Sequence, residues 1–271
     1  MTKSIISKKI LFWYDNNKRI LPWRKNTSKE QKLYFTLVSE FMLQQTQVST
    51  VIPYFKRFVQ KIPNFKKLSK ANDQTLMKLW EGLGYYSRAR NLKKSAIMIN
   101  GKFGGILPSN FEDLKSLPGV GDYTSTAIMA IAFNQKFIPL DGNVERILKR
   151  ALYLRNEKDI SKENMQISKN FFGLSERASD YAQAIMELGA LVCRPTSPLC
   201  EKCPISMNCI SYKRKDFSLI KKTKKNKIKY FEANIYMNEN KMLLVRNNKF
   251  NFLKNLLIFP MNEIDKSKFN S

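Results

Sequence analysis

At 271 residues, 43% hydrophobic and 26% charged, the chain is long enough for a sizeable core and two lobes, and no apolar run approaches the length of a membrane span. The formal net charge of +26 calls for a polyanionic partner, with nucleic acid ahead of an anionic membrane surface. An AT-rich coding sequence would explain part of the lysine excess, but it would supply glutamate too, and acids are few. Histidine is absent. This excludes Ser-His-Asp and Cys-His catalysis and any histidine-ligated metal, and leaves acid–base chemistry to carboxylates, lysine or tyrosine.

The N-terminal MTKSIISKKILFWYDNN is basic, but Asp15 and Asn16 cut its apolar stretch short. It reads as a helix running from residue 1 to about 24 and ending in Leu21-Pro22-Trp23-Arg24, not as a signal peptide, and a cytoplasmic protein is inferred. After the polar connector NTSKEQK, a strongly apolar helix is predicted from Leu33 to about Val51. Further helices are predicted over 54–62, 73–81, 87–100 and 110–117. Pro53, Pro63, Gly82, Gly84, Gly104, Gly105 and Pro108 serve as breaks. Strand-like alternation is nearly missing before residue 228, so the first 212 residues are expected to be all-α.

Glu40 sits among apolar residues in LVSEFMLQQT. Buried and unpaired, such a carboxylate raises its pKa and stays protonated near neutrality, which suits a general acid. On the solvent stripe of the same helix it would be an ordinary surface charge. The stretch alone leaves both readings open.

Leu117-Pro118-Gly119-Val120-Gly121 is a turn between two predicted helices. Proline fixes one φ, while Gly119 and Gly121 can take positive φ or admit another backbone. Exposed N–H groups there, at the head of a helix, suit a phosphate oxygen. The next helix carries small residues (Ser125, Thr126, Ala127, Ala130, Ala132) that allow close packing. It leads to Leu140-Asp141-Gly142-Asn143. Asp141 is then either the N-cap of a helix with apolar positions at Val144, Ile147, Leu148, Ala151 and Leu152, or a carboxylate brought near a DNA sugar.

Cys193, Cys200, Cys203 and Cys209 are the only cysteines, in a C-x6-C-x2-C-x5-C array. Four so close together suggest thiolate ligands, for which zinc and a [4Fe–4S] cluster are both chemically reasonable. One close pair instead of two, with the first thiol at a helix end and three in a loop, suits the larger cluster better. Beyond them, residues 213–229 hold nine basic side chains against one acid and read as a linker, either a solvated tether or a DNA contact. From Tyr230, FEANIYM and KMLLVRN have strand patterning about a turn at Asn238-Glu239-Asn240, and Pro260 ends the next apolar run. This stretch is too short to close a barrel or sandwich.

Taken in order, SEFMLQQTQV, WEGLGYYSRARN, LPGVGDYTSTA, LDGNVERI and the cysteine array resemble the A/G-mismatch-specific adenine DNA glycosylases, the MutY family of helix-hairpin-helix glycosylases that also include endonuclease III. The resemblance spans about residues 5–212. It implies a mainly α, two-lobed fold with the site between the lobes and an iron–sulfur cluster loop, followed by a short β-like C-terminal tail. The implied parts are an N-terminal helix in 1–27 packing on the cluster lobe, a six-helix lobe over 28–140, a cluster lobe over 141–212, the linker 213–229, and a truncated Nudix-like remnant over 230–271.

By the same resemblance Glu40 protonates the adenine and Asp141 stabilises the oxocarbenium-like sugar, with Tyr123 and Asn143 in support. Trp23, Arg24 and Gln183 line the adenine pocket. Gln44, Gln45 and Tyr85 wedge into the duplex or contact the opposing base, and the Gly119–Gly121 turn grips the phosphate. The four cysteines hold a [4Fe–4S] cluster. The implied partner is double-stranded DNA bearing A·G or A·8-oxoguanine mispairs, bound by a monomer with no membrane partner. Lyase-competent relatives carry a lysine where this chain has Tyr123, which implies base excision without efficient strand cleavage.

Overall fold

The computed structural model describes residues 2–25, 27–155, 164–218, 228–254, 256–265 and 268. The chain divides into two compact units, Met1–Ile220 and Lys221–Ser271. No helix among the described residues is long and apolar enough to cross a membrane.

The first unit is helical, as its pattern predicts. α1 (Thr2–Asn17) is followed by one 3₁₀ turn at Pro22–Arg24, then α2 (Lys29–Leu43), α3 (Val48–Lys61), α4 (Phe65–Ser69), α5 (Asp73–Trp80) and α6 (Ser87–Lys102). α7 (Phe111–Ser116) and α8 (Asp122–Phe133) flank the glycine turn, and α9 (Gly142–Leu152), α10 (Asn164–Phe172), α11 (Ala178–Leu191) and α12 (Ile210–Arg214) follow. Ser28, Asn64, Asn72 and Asn110 each cap the next helix by accepting a backbone N–H, the interaction for which short polar side chains are favoured there.

Several boundaries differ from the sequence reading. The first helix ends at Asn17, not near 24. Asn16 and Asn17 turn their amides back onto the Phe12 and Trp13 carbonyls, and Pro22 holds Leu21 extended. The predicted helix from Leu33 to Val51 is two helices broken at Gln44–Gln47, where Gln45 takes a left-handed φ of 58°. Pro53, predicted as a break, lies inside α3. Its interior cost of about 3 kcal/mol is met by burying Val51, Phe55 and Phe58 on one face. Part of the predicted linker is α12, and residues 219–227 lie outside the described residues.

Two buried cores form. One joins Leu33–Met42, Val51–Phe65, Trp80, Leu92–Ile99, Leu114–Val120 and Ile128. The other joins Ile6, Ile10 and Tyr14 of α1 to Ile138, Val144, Ile147, Ile185, Leu188 and Ile205. Between them α8 packs against both α2 and α11, with Ser125, Thr126, Ala127 and Ala130 buried, so small side chains let the helices close up.

The second unit pairs its strands two by two among the described residues. β1 (Tyr230–Ala233) runs antiparallel to β6 (Met261–Ile264), β2 (Met237–Asn238) to β3 (Lys241–Met242), and β4 (Val245–Arg246) to β5 (Leu257–Ile258). The predicted turn at 238–240 joins β2 to β3. Phe231, Phe250 and Phe252 pack with ring centroids 4.9 to 5.4 Å apart, which gives the stretch apolar packing of its own.

Candidate active site

All of α2 from Leu33 to Met42 is buried, so this helix has no solvent stripe there and Glu40 is only 6% exposed. Its side chain faces a cleft of about 890 Å³ between the two cores. Tyr123, in the first turn of α8, donates its hydroxyl to Glu40 Oε2 at 3.2 Å. Burial pushes the Glu40 carboxyl up to about 7. The Tyr123 hydrogen bond opposes that rise, the nearby Asp141 carboxylate adds to it, and Arg24 opposes it. Burial likewise holds the Tyr123 phenol well above its ordinary value, so it remains a donor.

Asp141 fulfils the capping reading and also lies in the cleft. It is the N-cap of α9, with Oδ1 accepting from the Asn143 and Val144 amides at 2.9 and 2.7 Å. Its Oδ2 accepts from Asn143 Nδ2 at 2.8 Å, and the residue lines the same cleft as Glu40. Capping therefore aims this carboxylate instead of competing with a role in the cleft.

Trp23, Arg24, Gln44, Gln45, Asn143 and Gln183 also line the cleft. Trp23 stands edge-on to Phe55 with centroids 5.3 Å apart, and Gln183 donates to Ser179 O within its own helix. The glycine turn lies beside the cleft and not in it, tied there by Gln44 Nε2, which donates to Gly119 O at 3.4 Å. Gly119 has φ 82°, and a Cβ there would meet Asn91 and Phe41 at 2.9 Å, so this position needs glycine. Gly121 has neither positive φ nor a crowded Cβ direction and faces open space. Tyr85 also stands outside the cleft, 65% exposed with φ 46°.

The four cysteines meet elsewhere, around one small apolar cavity under α9 and α11. All four thiols are free. Arg150 is buried beside them, donating to Cys193 Sγ and Cys193 O at 3.4 Å and to the carbonyls of Arg194 and Pro195. Burial raises the Cys200, Cys203 and Cys209 thiols, Cys203 to about 12. No group of three or more His, Cys, Asp or Glu among the described residues is arranged to hold a metal ion.

Sequence reasoning missed three contributors. Glu187 of α11 lines the cleft and accepts from Arg19 Nε at 3.0 Å and Arg24 Nη1 at 2.7 Å. Its signal, an acid in the apolar run AQAIMELGAL, is the one that drew attention to Glu40. Arg146 donates to Asn143 Oδ1 and Cys193 O at 2.7 Å and to Gly189 O at 2.8 Å, linking the Asp141 partner to the first cysteine. In VERILKR nothing separates it from a surface charge. Gly189 is required for this approach, since a Cβ there would meet Asn143 Cβ at 2.5 Å.

Residues 38–171 match the family model of the HhH-GPD superfamily base excision DNA repair proteins. The chain is 37% identical over 269 residues to the adenine DNA glycosylase of Buchnera aphidicola subsp. Schizaphis graminum, covering 96% of this chain and 76% of that one. The chain belongs to the adenine DNA glycosylase family. The Rattus norvegicus member is 43% identical over 216 residues, covering 76% of this chain and 41% of its own. Among solved structures, a thermostable thymine-DNA glycosylase superposes with a TM-score of 0.68 at 26% identity, covering 78% of this chain and 97% of that one. An endonuclease III–DNA complex shares the fold, with a TM-score of 0.64 at 23% identity and coverage of 79% and 98%. The protein is thus a DNA glycosylase of base excision repair with the helix-hairpin-helix fold, and its substrate is DNA.

Proposed function

We propose that the enzyme hydrolyses the N-glycosidic bond of adenine mispaired with guanine or 8-oxoguanine in duplex DNA. The observation that carries this is Glu40, a buried carboxyl held near neutrality that receives the Tyr123 hydroxyl and shares a cleft with the Asp141 carboxylate. Protonated Glu40 gives its proton to a ring nitrogen of an extruded adenine. The C1′–N9 electron pair leaves with the base, and the Asp141 carboxylate stabilises the cationic sugar. Water then bonds to C1′, and its proton passes to a carboxylate.

Trp23, Arg24 and Gln183 form the adenine pocket, and Gln44, Gln45 and Tyr85 fill the gap left in the stack. Asn143 holds Asp141, and the Gly119–Gly121 turn receives a phosphate on its open side. With a phenol bonded to Glu40 at the Tyr123 position, base excision proceeds without an efficient Schiff-base lyase step. The enzyme acts as a monomer on the chromosomal DNA of the nucleoid.

Cys193, Cys200, Cys203 and Cys209 would hold a [4Fe–4S] cluster. An all-sulfur set of free thiols around one cavity fits such a cluster. The cluster when bound ties the 193–209 loop into the fold and supplies no acid or base to the reaction. Purified protein with about four irons per chain is expected of such a ligand set, and one zinc without iron would overturn the assignment.

Single-turnover assays on A·G, A·8-oxoguanine and thymine-glycol duplexes test the reaction. Adenine release from the first two and no base release from the third is expected. Release of thymine glycol, or none of adenine, would overturn the proposal.

A further inference from the structure

Arg88, in the first turn of α6, is 6% exposed, and every hydrogen bond shown for its guanidinium goes to a backbone carbonyl. Nη1 donates to Phe41 O, Met42 O and Gln44 O at 3.1, 2.8 and 2.5 Å. Nη2 donates to Leu83 O and Gly84 O at 3.0 and 3.2 Å, and Nε has no partner. The cation lies 5.6 Å from the ring centroids of Trp80 and Tyr85. Trp80 Nε1 also donates to Gly84 O at 3.2 Å.

A buried cation is costly unless surrounding dipoles compensate it, and carbonyl dipoles do so for Arg88. Here they belong to two chain breaks. One is the end of α2, whose last carbonyls have no helical partner. The other is the turn leading to Tyr85. Each break holds a non-glycine residue in the left-handed region, Gln45 at φ 58° and Tyr85 at φ 46°. Such conformations are strained and persist only where the surroundings over-determine them.

We infer that Arg88 is a positioning residue that clamps the Gln44-Gln45 break to the Tyr85 turn, so that the side chains entering the duplex do so as one rigid unit. Gln44 extends the unit to the glycine turn through Gly119 O. The inference rests on the proposed wedge role of Gln44, Gln45 and Tyr85. Lysine cannot reproduce the clamp, because one ammonium has three donors at a single point while the guanidinium forks toward both breaks.

The test uses the full chain with its cofactor and an A·G duplex carrying 2-aminopurine beside the adenine, whose fluorescence rises when that base loses its stacking partner. Arg88→Lys should slow the rise roughly tenfold, as small misplacements of a positioned group do. Affinity for a fully paired duplex and the helical circular dichroism should stay at wild-type level. A wild-type rise, or a loss of paired-duplex affinity in step with it, would overturn the clamp in favour of no role or of general loosening. The Gln45→Ala/Tyr85→Ala double variant checks the underlying reading: a wild-type rise there removes the wedge assignment. The clamp is then judged by hydrogen exchange, where Arg88→Lys should speed exchange in 41–46 and 82–86 and leave α9 and α11 unchanged, and equal protection would refute it. Should Arg88→Lys not fold, the wild-type chain serves: along a denaturant series the amides of 41–46 and 82–86 should open together with one exchange midpoint, and independent opening of the two segments would refute the clamp.

Discussion

Glu40 on α2 and Glu187 on α11 line one cleft and are 6% and 1% exposed, yet their surroundings give them different chemistry. Glu187 receives two guanidinium groups, from Arg19 and Arg24, and its charge is compensated where it sits. Glu40 receives a neutral phenol and stands near the Asp141 carboxylate, so burial pushes it up to about 7 and keeps a proton within reach. Burial by itself therefore does not set what a carboxylate can do. The partner decides whether a buried carboxylate becomes a proton donor or an anchor for cations.

The sharpest way to break the comparison is to neutralise each glutamate in turn. Glu40→Gln keeps the shape and loses the proton, so single-turnover adenine release should fall by roughly 10²–10⁴-fold, the usual range for general acid catalysis, with mismatch affinity little changed in a binding titration. Glu187→Gln should act on stability first. It leaves the Arg19 and Arg24 charges without their shared anion, at a cost of roughly 3 kcal/mol, seen as a lower denaturation midpoint. If each variant showed the other's phenotype, the assigned roles would be reversed.

Asp141 offers an intermediate case, because one carboxylate both caps α9 and faces the cleft. Asn caps about as well as Asp, so Asp141→Asn should change stability by less than about 1 kcal/mol and slow adenine release by roughly 10²–10³-fold. Equal losses in thermal melts and single-turnover rates would mean the cap was its whole function.

Smaller effects follow from pH. With Glu40 as the acid, the excision rate should fall as pH rises through about 7. The folded value lies above the ordinary one of 4.5, so the fold holds a proton that the unfolded chain has lost. Stability therefore falls as pH rises from about 4.5 to about 7. Glu40→Gln escapes this, and its stability gain over the wild type should be larger at about pH 8 than at about pH 5, by on the order of 1–3 kcal/mol. Tyr123→Phe makes the finest distinction. Its hydroxyl favours the charged carboxylate, so removing it should move the midpoint of the rate profile to higher pH, with a rate change of less than roughly tenfold. A shift to lower pH would contradict the hydrogen bond's direction.

Local order alone determined much of this protein. Hydrophobic period and the Leu117–Gly121 turn are properties of neighbouring residues, so the all-α character of the first 212 residues, the glycine turn and the four-thiol array were legible before any folding. So was the oddity of an acid in LVSEFML. The break after Leu43 was not legible, because no glycine or proline marks it; its carbonyls are gathered by Arg88 from another helix. Nor were the pairing of Glu187 with Arg19 and Arg24, the Tyr123 bond to Glu40, or the Arg146 link from Asn143 to Cys193. Each joins residues far apart in the chain, and the same side chains on an exposed helix face would have been ordinary charges. The sequence determined which groups were available; only close packing of α2, α8, α9 and α11 decided which lost water and which partner each then had to find, and that choice separates an acid from an anchor.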